Sequence, residues 1–294
     1  MKIIFLGIFF VCLNTLSGSS FDSITKYLSI NSLKWYHFYS IGGIFALIFY
    51  LFVLSFFGGI KKHIILKTKE SYIVPVLRGI TFIPIPIIVF YALKHIPVSL
   101  FTTILMTTPF YNIIFSRIIL KEKINILSWI AIFSGFTGVL LVLRPDSNSI
   151  NLSILLAFYV AIYNSFVFVL VGKFSSSATS FGFTFYHIIF LIFFSIIFLF
   201  FDPFVPMKTE LTLILLGGIF LILSMLFWTT AFYIASSHIS IISPFFFTQI
   251  IWASIYGRIF FNEKINLIGY LGIIIIIISG TIAILNTTKK SLSR

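Results

Sequence analysis

The sequence predicts an all-α membrane protein in which ten transmembrane helices form two inverted five-helix repeats. Composition, the spacing of apolar segments and an internal duplication lead to this prediction. Of the 294 residues, 60% are hydrophobic and 9% are charged, and the mean hydropathy is +1.15. Soluble domains carry about 25% charged residues. A chain this apolar cannot build a water-compatible surface, so we expect it to lie in a lipid bilayer.

Ten apolar windows have a length suited to membrane crossing, since a helix needs roughly 20 residues to span a hydrocarbon core of about 30 Å. The windows are continuous rather than alternating, which favours helices over strands. The first resembles a secretory signal, but removing it would leave nine spans, so we predict that it is retained. The windows are 3–21, 36–58, 72–92, 98–119, 126–143, 152–172, 181–201, 211–234, 240–261 and 265–286.

A ten-residue segment occurs twice, at 116–125 and 257–266, and six of its positions match at a constant offset of 141. Five spans per copy is an odd number, so the second copy must enter the membrane the other way up. Inverted repeats are typical of secondary transporters that hold substrate near the midplane. The predicted units are a first repeat at 1–143, a second repeat at 152–286 and a cytoplasmic tail at 287–294.

Basic residues indicate the orientation of the chain. Twelve Lys and Arg residues lie at the ends predicted to be cytoplasmic and seven at the opposite ends, which favours both termini in the cytoplasm of a multi-pass inner-membrane protein. The net charge of +13 is spread over short connections, so no basic domain is available for nucleic acid. The single cysteine, Cys12, excludes an internal disulfide and a cysteine-based metal cluster. No metal or cofactor is predicted.

Short motifs in a fixed order resemble a known carrier family. They are Leu77-Arg78-Gly79, Phe90-Tyr91-Ala92-Leu93, Pro109, the two Glu-Lys-Ile-Asn turns and Ser243-Pro244. Over its whole length the chain is similar to ten-helix EamA-type carriers of the drug/metabolite transporter superfamily. Ser19-Ser20-x-Asp22 followed by Lys26-Tyr27-Leu28 also resembles the first helix of S-adenosylmethionine uptake carriers. The resemblance implies transport of a small organic metabolite.

Three ionisable residues at membrane depth are candidates for substrate binding. Asp22 and Lys26 are spaced i, i+4 and can pair on one helical face. Asp22 could contact substrate or accept a proton, or it could form an interfacial salt bridge with Lys26. Arg78 could clamp a carboxylate or phosphate, or it could snorkel to the cytoplasmic headgroups.

Polar and aromatic residues within the windows are further candidates, because buried amides and hydroxyls need partners that a hydrated site supplies. Aromatic faces could also attract a cationic group. The alternative is hydrogen bonding between helices. These candidates are Tyr111, Asn112, Tyr163, Asn164, Tyr186, His187, Trp228, Gln249 and Trp252.

Two further groups are interpreted as structural. The repeated turns are expected to anchor and cap helices, through Arg117, Glu122, Asn125, Arg258, Glu263 and Asn266. Prolines within the windows remove backbone hydrogen bonds and are candidate hinges, namely Pro84, Pro86, Pro109 and Pro244.

No catalytic signature occurs in the sequence, neither a His-Glu-x-x-His helix nor a phosphate-binding glycine-rich loop. We therefore predict a non-enzyme, a secondary active transporter that moves an amino acid or related metabolite by alternating access. One alternative is uptake of S-adenosylmethionine or a similar cationic metabolite. A second alternative is a membrane sensor or scaffold that transports nothing. The partners predicted for the transporter are the bilayer and a small substrate. Coupling to protons or sodium and assembly as a homodimer are possibilities that the sequence leaves open.

Overall fold

The computed structural model of the protein describes residues 2–30, 33–95, 98–143, 152–261 and 267–292. Within these ranges no strand occurs, and short 3₁₀ segments lie at Glu70–Tyr72 and Ser243–Phe247. The all-helical prediction is thus confirmed for the described residues. The α-helices are α1 (Lys2–Ile30), α2 (Trp35–Phe56), α3 (Gly59–His63), α4 (Ile73–Phe82), α5 (Pro84–His95), α6 (Val98–Leu105), α7 (Thr108–Ile119), α8 (Ile126–Leu143), α9 (Leu152–Lys173), α10 (Ser180–Phe201), α11 (Lys208–Ile234), α12 (Ile239–Ile242), α13 (Thr248–Phe261) and α14 (Leu267–Leu292).

Seven helical stretches among the described residues are long and apolar enough to cross a bilayer. Two shorter apolar helices, Ile126–Val142 and Leu267–Ile282, correspond to the predicted fifth and tenth windows. The predicted fourth window is divided into α6 and α7, so the count of ten spans stays a prediction. The seven stretches are Lys2–Leu28, Trp35–Phe56, Glu70–Val89, Leu152–Lys173, Ser180–Phe201, Lys208–Ile234 and Ile239–Phe261.

Helix breaks lie beside the prolines that the sequence analysis singled out. α4 ends at Phe82 and α5 begins at Pro84, whose ring nitrogen cannot donate to the preceding turn. Pro109 follows the turn between α6 and α7, and Pro244 lies in the 3₁₀ segment between α12 and α13. Pro86 lies one turn inside α5 without ending it. These prolines divide helices, while their service as hinges stays a prediction.

The two halves of the chain pack into each other. From the first half, α1 packs on α11 and α13, α2 packs on α10 and α11, and α8 packs on α14. Contacts between α7 and α9 and between α4 and α10 add to this boundary. Most of the major helix contacts therefore join one half to the other, and side chains that face this boundary are shared by both halves.

Glycines allow the closest of these crossings. A Cβ added at Gly218 of α11 would overlap the backbone of Gly42 in α2. Gly138 of α8 and Gly272 of α14 are reciprocal, because a Cβ on either would meet the carbonyl oxygen of the other. Small residues let helix backbones approach in lipid, where packing rather than hydrophobic exclusion drives association.

An ion pair joins the start of α2 to the end of α10. Lys34 Nζ and the Tyr36 hydroxyl each donate to Asp202 Oδ2 at 2.7 Å, and His37 Nε2 lies 3.3 Å from the same oxygen. The hydrogen bonds from Lys34 and Tyr36 lower the pKa of Asp202 to about 2. The hydrogen bond to Asp202 raises the pKa of Lys34. Both groups therefore stay charged near neutral pH and hold these helix ends together.

Candidate functional site

Asp22 of α1 faces the second half of the chain. Its Oδ2 accepts a hydrogen bond from Gln249 Nε2 of α13 at 3.0 Å. The rest of the Asp22 side chain is exposed in the structure. One turn further along α1, Lys26 Nζ lies 4.3 Å from the centre of the Phe261 ring of α13. Two predicted site residues, Asp22 and Gln249, thus lie in direct contact.

A row of polar contacts, which we call the polar seam, continues along α1 toward its N-terminus. Apart from Gln249, the sequence analysis did not name these residues as site candidates, although a cluster of amide and hydroxyl side chains in an apolar window is a detectable signal. The seam connects α1 to α11 and α13 and places the Asp22–Gln249 pair at one end of a polar boundary between the halves. Its hydrogen bonds are Asn14 Nδ2 to Ser224 O and Oγ (2.9 Å each), Thr15 Oγ1 with Thr248 Oγ1 (2.8 Å), Ser19 Oγ to Gln249 O (3.1 Å) and Ser20 Oγ with Tyr256 Oη (2.8 Å).

Arg78 is buried against helices of the second half. Its side chain is 4% exposed. Nη2 donates to Thr229 Oγ1 of α11 at 3.1 Å, and Cζ lies 4.8 Å from the centre of the Phe168 ring of α9. The neighbouring Gly79 lies at a close approach of α4 to α10, where an added Cβ would overlap the Tyr186 carbonyl.

Aromatic rings surround the Arg78 guanidinium. Trp228 stacks on Phe168 with ring centroids 3.9 Å apart and planes 6° from parallel. The buried His187 ring packs on Phe82, with centroids 4.0 Å apart. Three residues predicted separately, Arg78, His187 and Trp228, are thus brought to one region where α4, α9, α10 and α11 meet.

Other predicted residues have structural partners. The Tyr163 hydroxyl pairs with Thr81 Oγ1 at 2.8 Å, and the Tyr186 hydroxyl donates to the Ile64 carbonyl at 2.8 Å. Asn112 Oδ1 accepts from Ser165 Oγ at 2.7 Å, which joins α7 to α9. These contacts correspond to the alternative of helix-to-helix hydrogen bonding. Three further candidates are half-buried, namely Tyr111, Asn164 and Trp252.

The first repeated turn joins the two halves. Glu122 is buried, and its carboxylate accepts hydrogen bonds from the backbone N–H of Ser240 at 3.2 and 3.3 Å and from the Ser240 hydroxyl. Asn125 Oδ1 faces the Leu127 N–H at 3.5 Å at the start of α8. Glu122 was expected to act only within its own turn. Its carboxylate also bonds to Ser240, which lies 118 residues away.

The other turn residues lie nearer the surface. A surface pocket of about 410 Å³ is lined by Arg117, Lys121 and Lys123 together with Glu122 and Ile124. In the second turn, Arg258 Nη1 donates to the Tyr270 hydroxyl at 3.0 Å. The remaining predicted turn residues, Glu263 and Asn266, lie outside the described residues.

We expect Glu122→Gln to destabilise the protein without altering the candidate site. The substitution removes the charge and places an amide N–H₂ against the Ser240 donors, and a hydrogen bond to a charged group contributes about 1.5–3 kcal/mol. Thermal unfolding in detergent should show the loss as a lower midpoint and a lower purified yield. The matched control is Glu70→Gln at an exposed position, which should unfold like wild type. Equal midpoints for both variants would contradict a stabilising role.

Comparison with known proteins places these features in context. The chain is 26% identical to an S-adenosylmethionine uptake transporter of Rickettsia prowazekii (strain Madrid E), over 98% of this chain and 95% of that one. It is 26% identical to an uncharacterized transporter of Helicobacter pylori (strain J99) over 70% and 71% of the chains. A riboflavin transporter of Brucella anthropi is 35% identical over only 71 residues, so the match spans 25% of that protein.

Structure and family comparisons agree with the resemblance found in the sequence. A solved crystal structure matches with a TM-score of 0.77 at 11% identity, over 98% of each chain, which shows a shared fold. The model of the EamA-like transporter family matches twice, at residues 5–144 and 151–285. The described helices, the apolar spans and both family matches lead to one conclusion: the chain is a multi-pass membrane protein that belongs to the EamA-like transporter family.

Proposed function

We propose that the protein is a secondary carrier that moves a small organic metabolite across the inner membrane by alternating access. The observation that carries this proposal is that two ionisable residues at membrane depth, Asp22 and Arg78, each bond to the opposite half of the chain. Charged side chains within a membrane are costly, and they usually mark a substrate or ion pathway. Because the chain belongs to a transporter family, we interpret Asp22 and Arg78 as residues of a metabolite pathway.

The proposed architecture has ten spans in two inverted repeats, at 1–143 and 152–286, with both termini and the tail at 287–294 in the cytoplasm. Two nearly equivalent halves can exchange conformations, so that inward-open and outward-open states lie at similar energy. The polar seam and the surroundings of Arg78 lie at the boundary that such an exchange would open and close. Hydrogen bonds between hydroxyls, as in Thr15–Thr248, can be replaced by water at low cost when the boundary opens.

An amino acid or a related metabolite is the proposed substrate class, and S-adenosylmethionine is the named alternative. Two observations favour the alternative: S-adenosylmethionine uptake transporters match nearly the full chain, and the exposed Asp22 carboxylate could pair with a cationic group. Riboflavin is supported only by short matches of 64 to 81 residues. Coupling to protons or sodium through Asp22, and assembly as a homodimer, belong to the same proposal.

Flux into proteoliposomes tests the carrier against the scaffold. The full-length protein is reconstituted and assayed with labelled amino acids, S-adenosylmethionine and riboflavin, in both directions and with imposed proton or sodium gradients. Saturable flux that exceeds flux into protein-free vesicles supports the proposal. An absence of flux for the whole panel in both directions would favour a sensor or scaffold.

The inverted topology has its own test, because Cys12 is the single thiol. In a Cys12→Ala background, Lys123→Cys and Lys264→Cys are introduced one at a time and treated with a membrane-impermeant maleimide. We expect the Lys123 position to react only from the cytoplasmic side and the Lys264 position only from the opposite side. Reaction of both positions from one side would refute the inverted repeat.

A further inference from the structure

The buried guanidinium of Arg78 has fewer hydrogen-bond acceptors than donors and no opposite charge among the described residues. Nη2 has the Thr229 hydroxyl as its acceptor, whereas Nε and Nη1 are buried and have no hydrogen-bond partner among the described residues. No carboxylate of the described residues forms an ion pair with Arg78. The ring of Phe168 supplies a cation–π contact but no acceptor. A buried charge without an opposite charge is strongly disfavoured unless another group supplies the balance.

The side chains around Arg78 add donors rather than acceptors. Trp228 Nε1 is buried without a partner among the described residues, and an indole nitrogen can only donate. His187 Nδ1 is likewise buried without a described partner, and it donates when it carries the ring proton. The Tyr163 hydroxyl is oriented toward the Arg78 carbonyl at 3.4 Å and toward Thr81. Arg78 therefore presents unused hydrogens on Nε and Nη1, and His187 adds one when the ring proton is on Nδ1. Trp228 lies across the Phe168 ring from the guanidinium.

We propose that Arg78, with His187 beside it, forms an oxyanion subsite that binds a carboxylate of the transported compound. This inference rests on the proposed carrier function and deepens it, because it restricts the substrate to anionic or zwitterionic compounds. A carboxylate oxygen accepts several hydrogen bonds at once and supplies the negative charge that the guanidinium lacks.

The subsite makes a prediction about stability that does not depend on knowing the substrate. A residue that serves ligand binding often lowers the stability of the ligand-free protein. Replacing it should therefore leave the unfolding temperature of the ligand-free protein unchanged or raise it. Arg78→Met keeps the length and apolar contacts of the side chain and removes the charge. We expect the ligand-free variant in nanodiscs to unfold at or above the wild-type temperature. Lys67→Met, at an exposed cation in the loop after α3, is the control and should unfold like wild type.

Paired ligands test the carboxylate directly. Amino acids and S-adenosylmethionine are each compared with the amine that decarboxylation gives, by the rise in unfolding temperature and by inhibition of proteoliposome exchange. For wild type, we expect at least one carboxylate form to bind about tenfold or more tightly than its amine, since each tenfold corresponds to 1.4 kcal/mol. Arg78→Met should lose that preference, and Arg78→Lys should keep part of it. Inorganic phosphate, assayed in vesicles of neutral lipid, shows whether an oxyanion alone is bound.

Several outcomes would overturn the subsite. They are equal binding of acid and amine forms to wild type, an undiminished preference in Arg78→Met, and no stabilisation of wild type by any oxyanion. A ligand-free Arg78→Met that unfolds far below wild type would show a structural arginine instead. Binding that depends on Arg78 without flux would refute the carrier and keep the subsite. Flux that does not depend on Arg78 would support the carrier and refute the subsite.

Discussion

Replacing Asp22 with asparagine is expected to reduce the initial rate of transport by about tenfold or more, since a lost charge contact of 1.4 kcal/mol already corresponds to tenfold. Asparagine has the same shape and keeps an oxygen that can accept from Gln249 Nε2, as Asp22 Oδ2 does at 3.0 Å. The substitution therefore removes the charge and little else. Any loss of transport would report the charge of the carboxylate rather than a change in packing.

The measurement is uptake into proteoliposomes of the substrate identified with wild type, normalised to the amount of reconstituted protein. Glu70→Gln is the matched control, because it removes an acid at an exposed position. We expect the control to transport like wild type and both variants to reach wild-type levels in the membrane. A rate for Asp22→Asn equal to that of the control would remove the carboxylate from the substrate path.

Replacing Gly272 with alanine is expected to destabilise the protein by about 1–3 kcal/mol through overpacking. The added methyl carbon would lie 2.5 Å from the carbonyl oxygen of Gly138 and 2.8 Å from Val142 Cγ2. Backbone atoms cannot rotate out of the way as a side chain can, so α8 and α14 must separate. The expected result is a lower unfolding midpoint in detergent and a lower yield of folded protein.

Gly280→Ala is the control because it lies on the same helix. Both substitutions gain helix propensity of roughly 1 kcal/mol, so that contribution cancels in the comparison. At Gly280 the nearest atom to the added carbon is a ring carbon of Phe245 at 3.2 Å, and an aromatic side chain can shift by a few tenths of an ångström. We expect Gly280→Ala to unfold at or near the wild-type midpoint. Equal losses in both variants would contradict a tight α8–α14 crossing.

Hydropathy predicted the positions of most helices well and their ends less well. α1 continues to Ile30, nine residues past the predicted window, because a helix does not stop where its sequence becomes polar. α11 begins at Lys208 rather than at 211, since the Glu210 carboxylate accepts from the Met207 N–H at 2.8 Å and supports an earlier start. Both differences arise from hydrogen bonds and interfacial residues that a window of apolar residues does not register.

The candidate site could be predicted as a set of residues but not as a geometry. Asp22, Arg78, His187 and Trp228 stand out because ionisable and amphipathic side chains are rare within apolar windows. Their partners are not visible in the sequence, since Thr229 lies 151 residues from Arg78. The close approach of α4 to α10 at Gly79 is likewise not visible in the sequence.

The first repeated turn illustrates the same limit. A Glu three residues before an Asn at a helix start predicts local capping, and the Asn125 contact at the start of α8 fits that expectation. The position of Glu122 gives no sign that its carboxylate reaches Ser240 of the second half. The duplication indicates that the two repeated turns hold equivalent positions in their halves. Which helix each turn contacts is determined by the packing of the halves.

The contacts of α1 have a consequence for how the protein is made. This helix is synthesised well before its partners, since Asn14 bonds to a residue 210 positions later and Asp22 to one 227 positions later. At about 5–20 residues per second, α1 waits on the order of 10 to 45 s in the bilayer before those partners are synthesised. During biosynthesis the first half therefore holds polar side chains whose hydrogen-bond partners belong to the second half. We expect the two halves to depend on each other for folding.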